Sequence, residues 1–251
     1  MQSEIAISAR SARISLVDAA RGVALIAMTV FHFSWDLAMF RFIDPAVMTS
    51  TGMIWFARTI AGSFLFLVGF SLFLAHGKGI RWSNFINRLV WVAGAAAIIT
   101  AATYFATPDA YIFFGILHSI ALSSILGLAA LRLDWRITGI LSLFFLFGKY
   151  WLTTPVLDAP MWWWTGLSQI VPTSNDFVPI FPFFGMVLAG IAVARLAYEN
   201  RIIPRLSQIN CSGHICEMLI FIGRHSLVYY LLHQPVLILL VYGFARVTGH
   251  I

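Results

Sequence analysis

Charge is what this sequence has least of: Asp, Glu, Lys and Arg together make up 10% of its 251 residues, against roughly a quarter in a soluble domain. That shortage excludes an ordinary water-soluble globule. Hydrophobic residues make up 60% of the chain and the mean hydropathy is +0.87, more apolar surface than a soluble core hides. Cysteine is nearly absent as well. Cys211 and Cys216 flank His214, and two sulfurs with one imidazole make an incomplete zinc shell. The loop that carries them reads as cytoplasmic, where thiols stay reduced, so neither a disulfide nor a metal site is expected. No polar stretch is long enough to fold as a second core, and no internal repeat or low-complexity tract stands out, so residues 1–251 read as one domain. A cleavable leader is not expected either, because the chain is polar through Ser15 and its first apolar run is long; that helix reads as an uncleaved signal and anchor.

What the chain has is apolar runs, at about 23–42, 53–75, 89–106, 111–131, 137–152, 178–196 and 218–245. Each can cross about 30 Å of hydrocarbon, 137–152 only with local thinning or a polar flank such as Lys149. The expected fold is therefore all-α, a polytopic transmembrane helix bundle of about seven spans. A net charge of +6 and a pI near 9.7 do not indicate nucleic acid, because the cations cluster between apolar runs. Twelve of the sixteen (Arg10, Arg13, Arg21, Lys78, Arg81, Arg88, Arg132, Arg136, Arg195, Arg201, Arg205 and Arg224) fall on one side of the alternating loops, leaving Arg41, Arg58, Lys149 and Arg246 on the other. By the positive-inside rule the N-terminus is cytoplasmic and the C-terminus outside.

Ionisable groups inside such helices need a purpose, since each costs about 2.5 to 3.5 kcal/mol at the bilayer centre on insertion scales. His32 and Asp36 are four residues apart and share one face of the first span. A carboxylate there can orient an imidazole and leave its other nitrogen basic. Arg58, His118 and His233 enter other spans at depths that let them meet this pair in the outer half. In Leu231-Leu232-His233-Gln234-Pro235 the proline frees the Leu231 carbonyl and predicts a kink at His233. At the cytoplasmic end Ser15 and Asp18 resemble a helix start, and Arg21, Lys78, Arg81, Arg88 and Gly223-Arg224-His225-Ser226 gather on the same side, a setting suited to phosphates. The external row Trp162-Trp163-Trp164 reads as an interfacial anchor or as a lid and stacking platform.

Arg13-Ile14-Ser15-Leu16-Val17-Asp18-Ala19-Ala20-Arg21-Gly22-Val23-Ala24-Leu25 resembles the opening motif of the heparan-alpha-glucosaminide N-acetyltransferase catalytic-domain family. In the same order Phe66 to Ser71, Phe114 to Ser119, Pro182-Phe183-Phe184-Gly185, Gly223 to Leu227 and His233-Gln234-Pro235 resemble its small bacterial members. The resemblance implies a single transmembrane acyltransferase-like domain in a bacterial cytoplasmic (inner) membrane. It would pass an acetyl group from cytoplasmic acetyl-CoA to an amine or hydroxyl, for instance on a sugar or glycan, on the outer side. The lysosomal enzyme's proposed catalytic histidine follows the first span, and the matching stretch here, residues 44–54, has no histidine. His32 then reads as the base, Asp36 as its orienter, and Arg58, His118 and His233 as further catalytic contacts. Arg21, Arg81, Arg88, Arg224 and His225 would hold the CoA phosphates, and no metal is expected. The competing readings are a proton- or anion-coupled transporter using the same His/Asp/Arg cluster and a haem protein with paired helix histidines. The acceptor and the oligomeric state, a homo-oligomer included, stay open at this level.

Overall fold

The structure, a computed structural model, describes residues 14–209 and 211–250; Arg10 and Arg13, counted above for orientation, lie outside them. All regular structure among the described residues is helical. The order is α1 Ser15–Met39, α2 Thr51–His76, α3 Trp82–Ala106, α4 Ile116–Ala130, α5 Trp135–Leu152, α6 Ile180–Glu199, α7 Ile202–Gln208, α8 His214–Arg224 and α9 Ser226–Val247. Side-chain caps set several boundaries: the Ser50 hydroxyl accepts the Met53 amide at 3.4 Å, and the Asp134 carboxylate accepts the Arg136 amide at 2.8 Å, each taking up an N–H that a helix start leaves open.

Five helices, α1, α2, α3, α6 and α9, are long and apolar enough to cross a membrane. The sequence pointed to seven runs of that kind. The run at 111–131 becomes helical only at Ile116, so α4 has 15 residues and rises about 22 Å at 1.5 Å per residue. α5 is 18 residues long and has Arg136 and Lys149 in its end turns, which lowers its apolar content. The run at 218–245 is two helices, because the chain turns at His225 between α8 and α9.

α6 is the hub, packed along α2 on one side and α5 on another. Its contact with α2 is made backbone to backbone: a Cβ on Gly190 would collide with the Phe66 carbonyl oxygen, and one on Gly69 with that of Val187. Small residues at such crossings let membrane helices approach where hydrophobicity alone gives no driving force. Leu65, Leu72, Val187, Leu188 and Ile191 fill the surrounding core and are buried. The α5 side is pinned by the Ser142 hydroxyl, which donates to the Gly185 carbonyl at 2.7 Å. Large apolar side chains such as Trp91, Phe105, Tyr150, Leu239 and Val247 stand on the outside, as expected of a surface that meets lipid. α8 folds back onto α1 at Gly22 and Gly223, each facing the other helix's backbone with no room for a side chain.

One expectation is overturned in the α7–α8 connection. Cys211 and Cys216 are joined by a disulfide with a Cα–Cα distance of 5.9 Å, not held as two free thiols. The first turn of α8 carries Cys216 back over Cys211, a proximity that an argument from compartment could not supply.

Between α5 and α6, residues 153–179 fold into short 3-10 turns at Pro155–Leu157 and Pro160–Thr165. Trp163 is spent internally: its indole N–H donates to the Asp158 carbonyl at 2.9 Å and its ring lies 5.9 Å from Phe113. The Asp158 carboxyl is held below the usual carboxylate range, first by the Ser168 hydroxyl, with the Gln169 and Ile170 amides adding to it and burial opposing. A depressed acid stabilises the fold at pH above the ordinary carboxylate value of about 4, and that contribution is lost as pH falls through the lowered folded value. In a pH series of limited proteolysis within 153–179, protection should fall on acidification below about pH 4 in the parent and not in Asp158→Asn. Equal acid sensitivity in both would show that Asp158 does not hold this segment.

Candidate functional site

α1 and α9 run parallel and meet along a polar seam whose rungs follow one another by about a turn of α1. The Thr29 hydroxyl lies 2.8 Å from the Tyr229 hydroxyl. One turn on, the His32 and His233 rings are 5.0 Å apart, edge to face. One turn further along α1, and at the next residue of α9, the Gln234 amide nitrogen donates to Asp36 Oδ1 at 2.8 Å. Beyond that the seam becomes aromatic, with Phe40 and Tyr242 ring centroids 6.1 Å apart.

The chemistry lies in what this seam leaves unpaired. His233 Nδ1 is 2.6 Å from the Tyr230 carbonyl oxygen. A carbonyl only accepts, so Nδ1 carries the proton and Nε2 presents a lone pair. That Nε2 is buried without a partner, and so are Asp36 Oδ2 and Gln234 Oε1. Buried polar atoms are normally satisfied; here three acceptors on one seam have no partner within the chain. Asp36 is fully buried, yet its bonded partner is Gln234, not His32. His32 itself touches Phe31 and His233 through its ring, with no hydrogen bond to fix its tautomer.

The other two residues expected here are placed differently. His118 sits in the first turn of α4 with both nitrogens engaged. The Gly115 amide donates to Nδ1 at 3.3 Å, so Nε2 carries the proton toward the Thr100 hydroxyl at 3.1 Å, which donates on to the Ile112 carbonyl at 2.7 Å. Arg58 is exposed, 5.5 Å over the Trp55 ring, and is not brought to the seam. Asp176 was not singled out as a site residue. Its Oδ2 accepts the Ile116 amide at 2.8 Å and the Tyr230 hydroxyl at 3.4 Å. Burial pushes its carboxyl above the usual range and those two bonds pull it back. Its partners are 60 and 54 residues away, so no local pattern could have flagged it. Gln234 did carry a signal, lying between His233 and Pro235, the proline inside α9.

At the opposite end of α1, Asp18 is almost wholly buried between two arginines: Arg21 pairs with it at 2.9 Å and Arg224 at 3.5 Å. Arg21 also reaches the Ser71 hydroxyl. Arg81 donates through Nε to the Ala75 carbonyl at 3.1 Å and through its amide to His76 Nδ1 at 3.2 Å. Arg88 lines a narrow crevice between α3 and α4 with Phe85 and Ser124. His225 Nδ1 donates to the Phe221 carbonyl at 2.9 Å. Arg21 and Arg224 are thus tied to a carboxylate, while Arg81 and Arg88 sit at the mouth of this basic end. Among the described residues no group of three His, Cys, Asp or Glu side chains is placed to hold a metal ion.

Long apolar helices around a buried polar seam, with a basic cluster at the far end of the same helix, define an integral membrane protein with a candidate reaction site between its first and last long helices. The chain belongs to the heparan-alpha-glucosaminide N-acetyltransferase catalytic family, whose model matches residues 13–235. The match runs from the start of α1 to the proline that follows His233 and Gln234, so it takes in every residue of the unpaired set. Membership suggests a membrane acetyltransferase. Neither the comparison with curated proteins nor that with solved structures returns a match.

Proposed function

We propose that the protein transfers an acetyl group from acetyl-CoA, bound at the basic end, to an amine presented at the α1–α9 seam. The observation that carries this reading is His233: its tautomer is set by the Tyr230 carbonyl and its free Nε2 is buried and unpartnered, the state a general base requires. The acceptor class follows from the unpaired set. Asp36 Oδ2, Gln234 Oε1 and His233 Nε2 are all acceptors, so the complementary group is rich in donors; an ammonium brings three N–H bonds and the charge to face a carboxyl, a hydroxyl only one. His233 takes the proton that frees the nitrogen lone pair, the nitrogen adds to the thioester carbon, the C–S bond breaks, and the second nitrogen proton passes to the departing sulfur, leaving the amide, the CoA thiol and a protonated His233. His32 lies beside His233 and shields it. An amino sugar is one acceptor of this kind.

Arg81 and Arg88 suit the CoA phosphates best, with Arg21, Arg224 and His225 around them. Orientation follows the charge count: basic end and N-terminus cytoplasmic, seam toward the outside, in a bacterial inner membrane. The parallel course of α1 and α9 supports termini on opposite faces, and α4 and α5 would complete about seven crossings with local thinning of the bilayer.

Proteoliposomes holding a primary amino sugar inside and given radiolabelled acetyl-CoA outside are the test. Label should appear on the amine, and its N-free hydroxyl analogue should receive little. Absence of transfer, with proton or anion flux in the absence of any acyl donor, would replace this reading with a transporter.

A further inference from the structure

Asp176 stands where three distant parts of the chain meet, and the transfer chemistry described above does not use it. The segment around it is stitched onto the approach to α4: the Asn175 amide donates to the Ala110 carbonyl at 2.9 Å, and the Val178 amide to the Phe114 carbonyl at 3.1 Å. The Ser174 hydroxyl bridges the Tyr111 and Asp176 carbonyls at 3.0 Å each. The carboxyl so positioned caps α4 through the Ile116 amide, satisfying a donor that a helix start leaves open. Residue 115 is glycine where a Cβ would strike that carboxyl. From the same Oδ2 the contact passes to the Tyr230 hydroxyl, and the Tyr230 carbonyl is the group that accepts from His233 Nδ1.

We infer that Asp176 is a positioning residue for His233: by holding the Tyr230 side chain against the start of α4, it keeps the Tyr230 carbonyl aimed at Nδ1 and therefore Nε2 free. The chain of contacts is Asp176, Tyr230, His233, crossing from the α5–α6 connection to α9. This rests on His233 being the base. Small displacements of a reacting group are costly, a misplacement of 1 Å reaching on the order of a hundredfold in rate, so a clamp of this kind acts on turnover and leaves donor binding at the far end of α1 alone.

The experiment compares D176A, D176N and Y230F with the parent in steady-state acetyl transfer by the purified full chain. D176A should lower kcat by about tenfold to a hundredfold with KM for acetyl-CoA within about threefold. D176N keeps an oxygen acceptor for the Ile116 amide and the Tyr230 hydroxyl, and should restore most of that loss. Y230F leaves the Asp176 cap on α4 intact, so it carries the test if D176A does not fold; it should lower kcat alone. Unchanged kcat in folded D176A or Y230F, or a loss confined to KM, overturns the clamp. H233A in parallel separates the two ideas: an inactive H233A beside an unimpaired Y230F removes the clamp only, whereas a fully active H233A removes the base assignment and the clamp with it.

Discussion

His233→Ala is expected to lower acetyl transfer by about a hundredfold or more, the usual lower bound for removing a general base. The argument is one of hydrogen-bond direction. The Tyr230 carbonyl can only accept, so it holds the proton on Nδ1, and Nε2 is left buried with a lone pair and no partner. His32, 5.0 Å away ring to ring, lacks any bond that would set its tautomer, so His32→Ala should cost less than His233→Ala. Initial rates of label transfer from acetyl-CoA to an amine decide this. If His32→Ala were inactive while His233→Ala kept a rate within about threefold of the parent, the base would be His32. Donor binding should survive in both variants, because the basic residues lie at the other end of α1.

Gly190→Ala should be among the most damaging single methyl additions at the described glycines. Its Cβ would land on the Phe66 carbonyl oxygen, and the reciprocal Gly69 faces the Val187 carbonyl. Backbone cannot swing aside as a side-chain tip can, so α2 and α6 must part along their contact. Overpacking typically costs about 1 to 3 kcal/mol, and a displaced helix pair at the hub belongs at the top of that range. Gly94→Ala in α3 is the control, since a Cβ there meets nothing within 4 Å and helix propensity slightly favours it. Thermal unfolding in detergent should show Gly190→Ala several degrees below the parent and Gly94→Ala at or above it. Equal midpoints would mean that the α2–α6 crossing adapts without loss.

Much of this architecture is legible without coordinates because burial in lipid imposes a one-dimensional rule: every span is a long apolar helix. That rule falters where length is marginal. Gly115, Asp176 and His118 start α4 at Ile116, five residues into an apolar run, and a turn at His225 divides another run in two. The seam was half legible. His32 and Asp36 share a face by helical spacing, and Pro235 marked the neighbourhood of His233, but spacing along one helix suggested that Asp36 orients His32. The structure gives Asp36 to Gln234, 198 residues away. His118 read as a further catalytic contact in sequence; in the structure its Nδ1 accepts the Gly115 amide at the start of α4 and its Nε2 faces the Thr100 hydroxyl of α3.

Sequence by itself determined the class: an all-helical, lipid-facing chain with scarce charges gathered at one end and a family motif running through it, all properties of composition and local spacing. Tertiary structure decided which polar atoms stay unpaired. Partners such as Gln234 for Asp36, Tyr230 for Asp176 and Cys211 for Cys216 are set by how helices approach, which at Gly69, Gly190, Gly22 and Gly223 depends on backbones touching. Hydrogen bonds act over about 3 Å, a precision that hydrophobic periodicity does not carry.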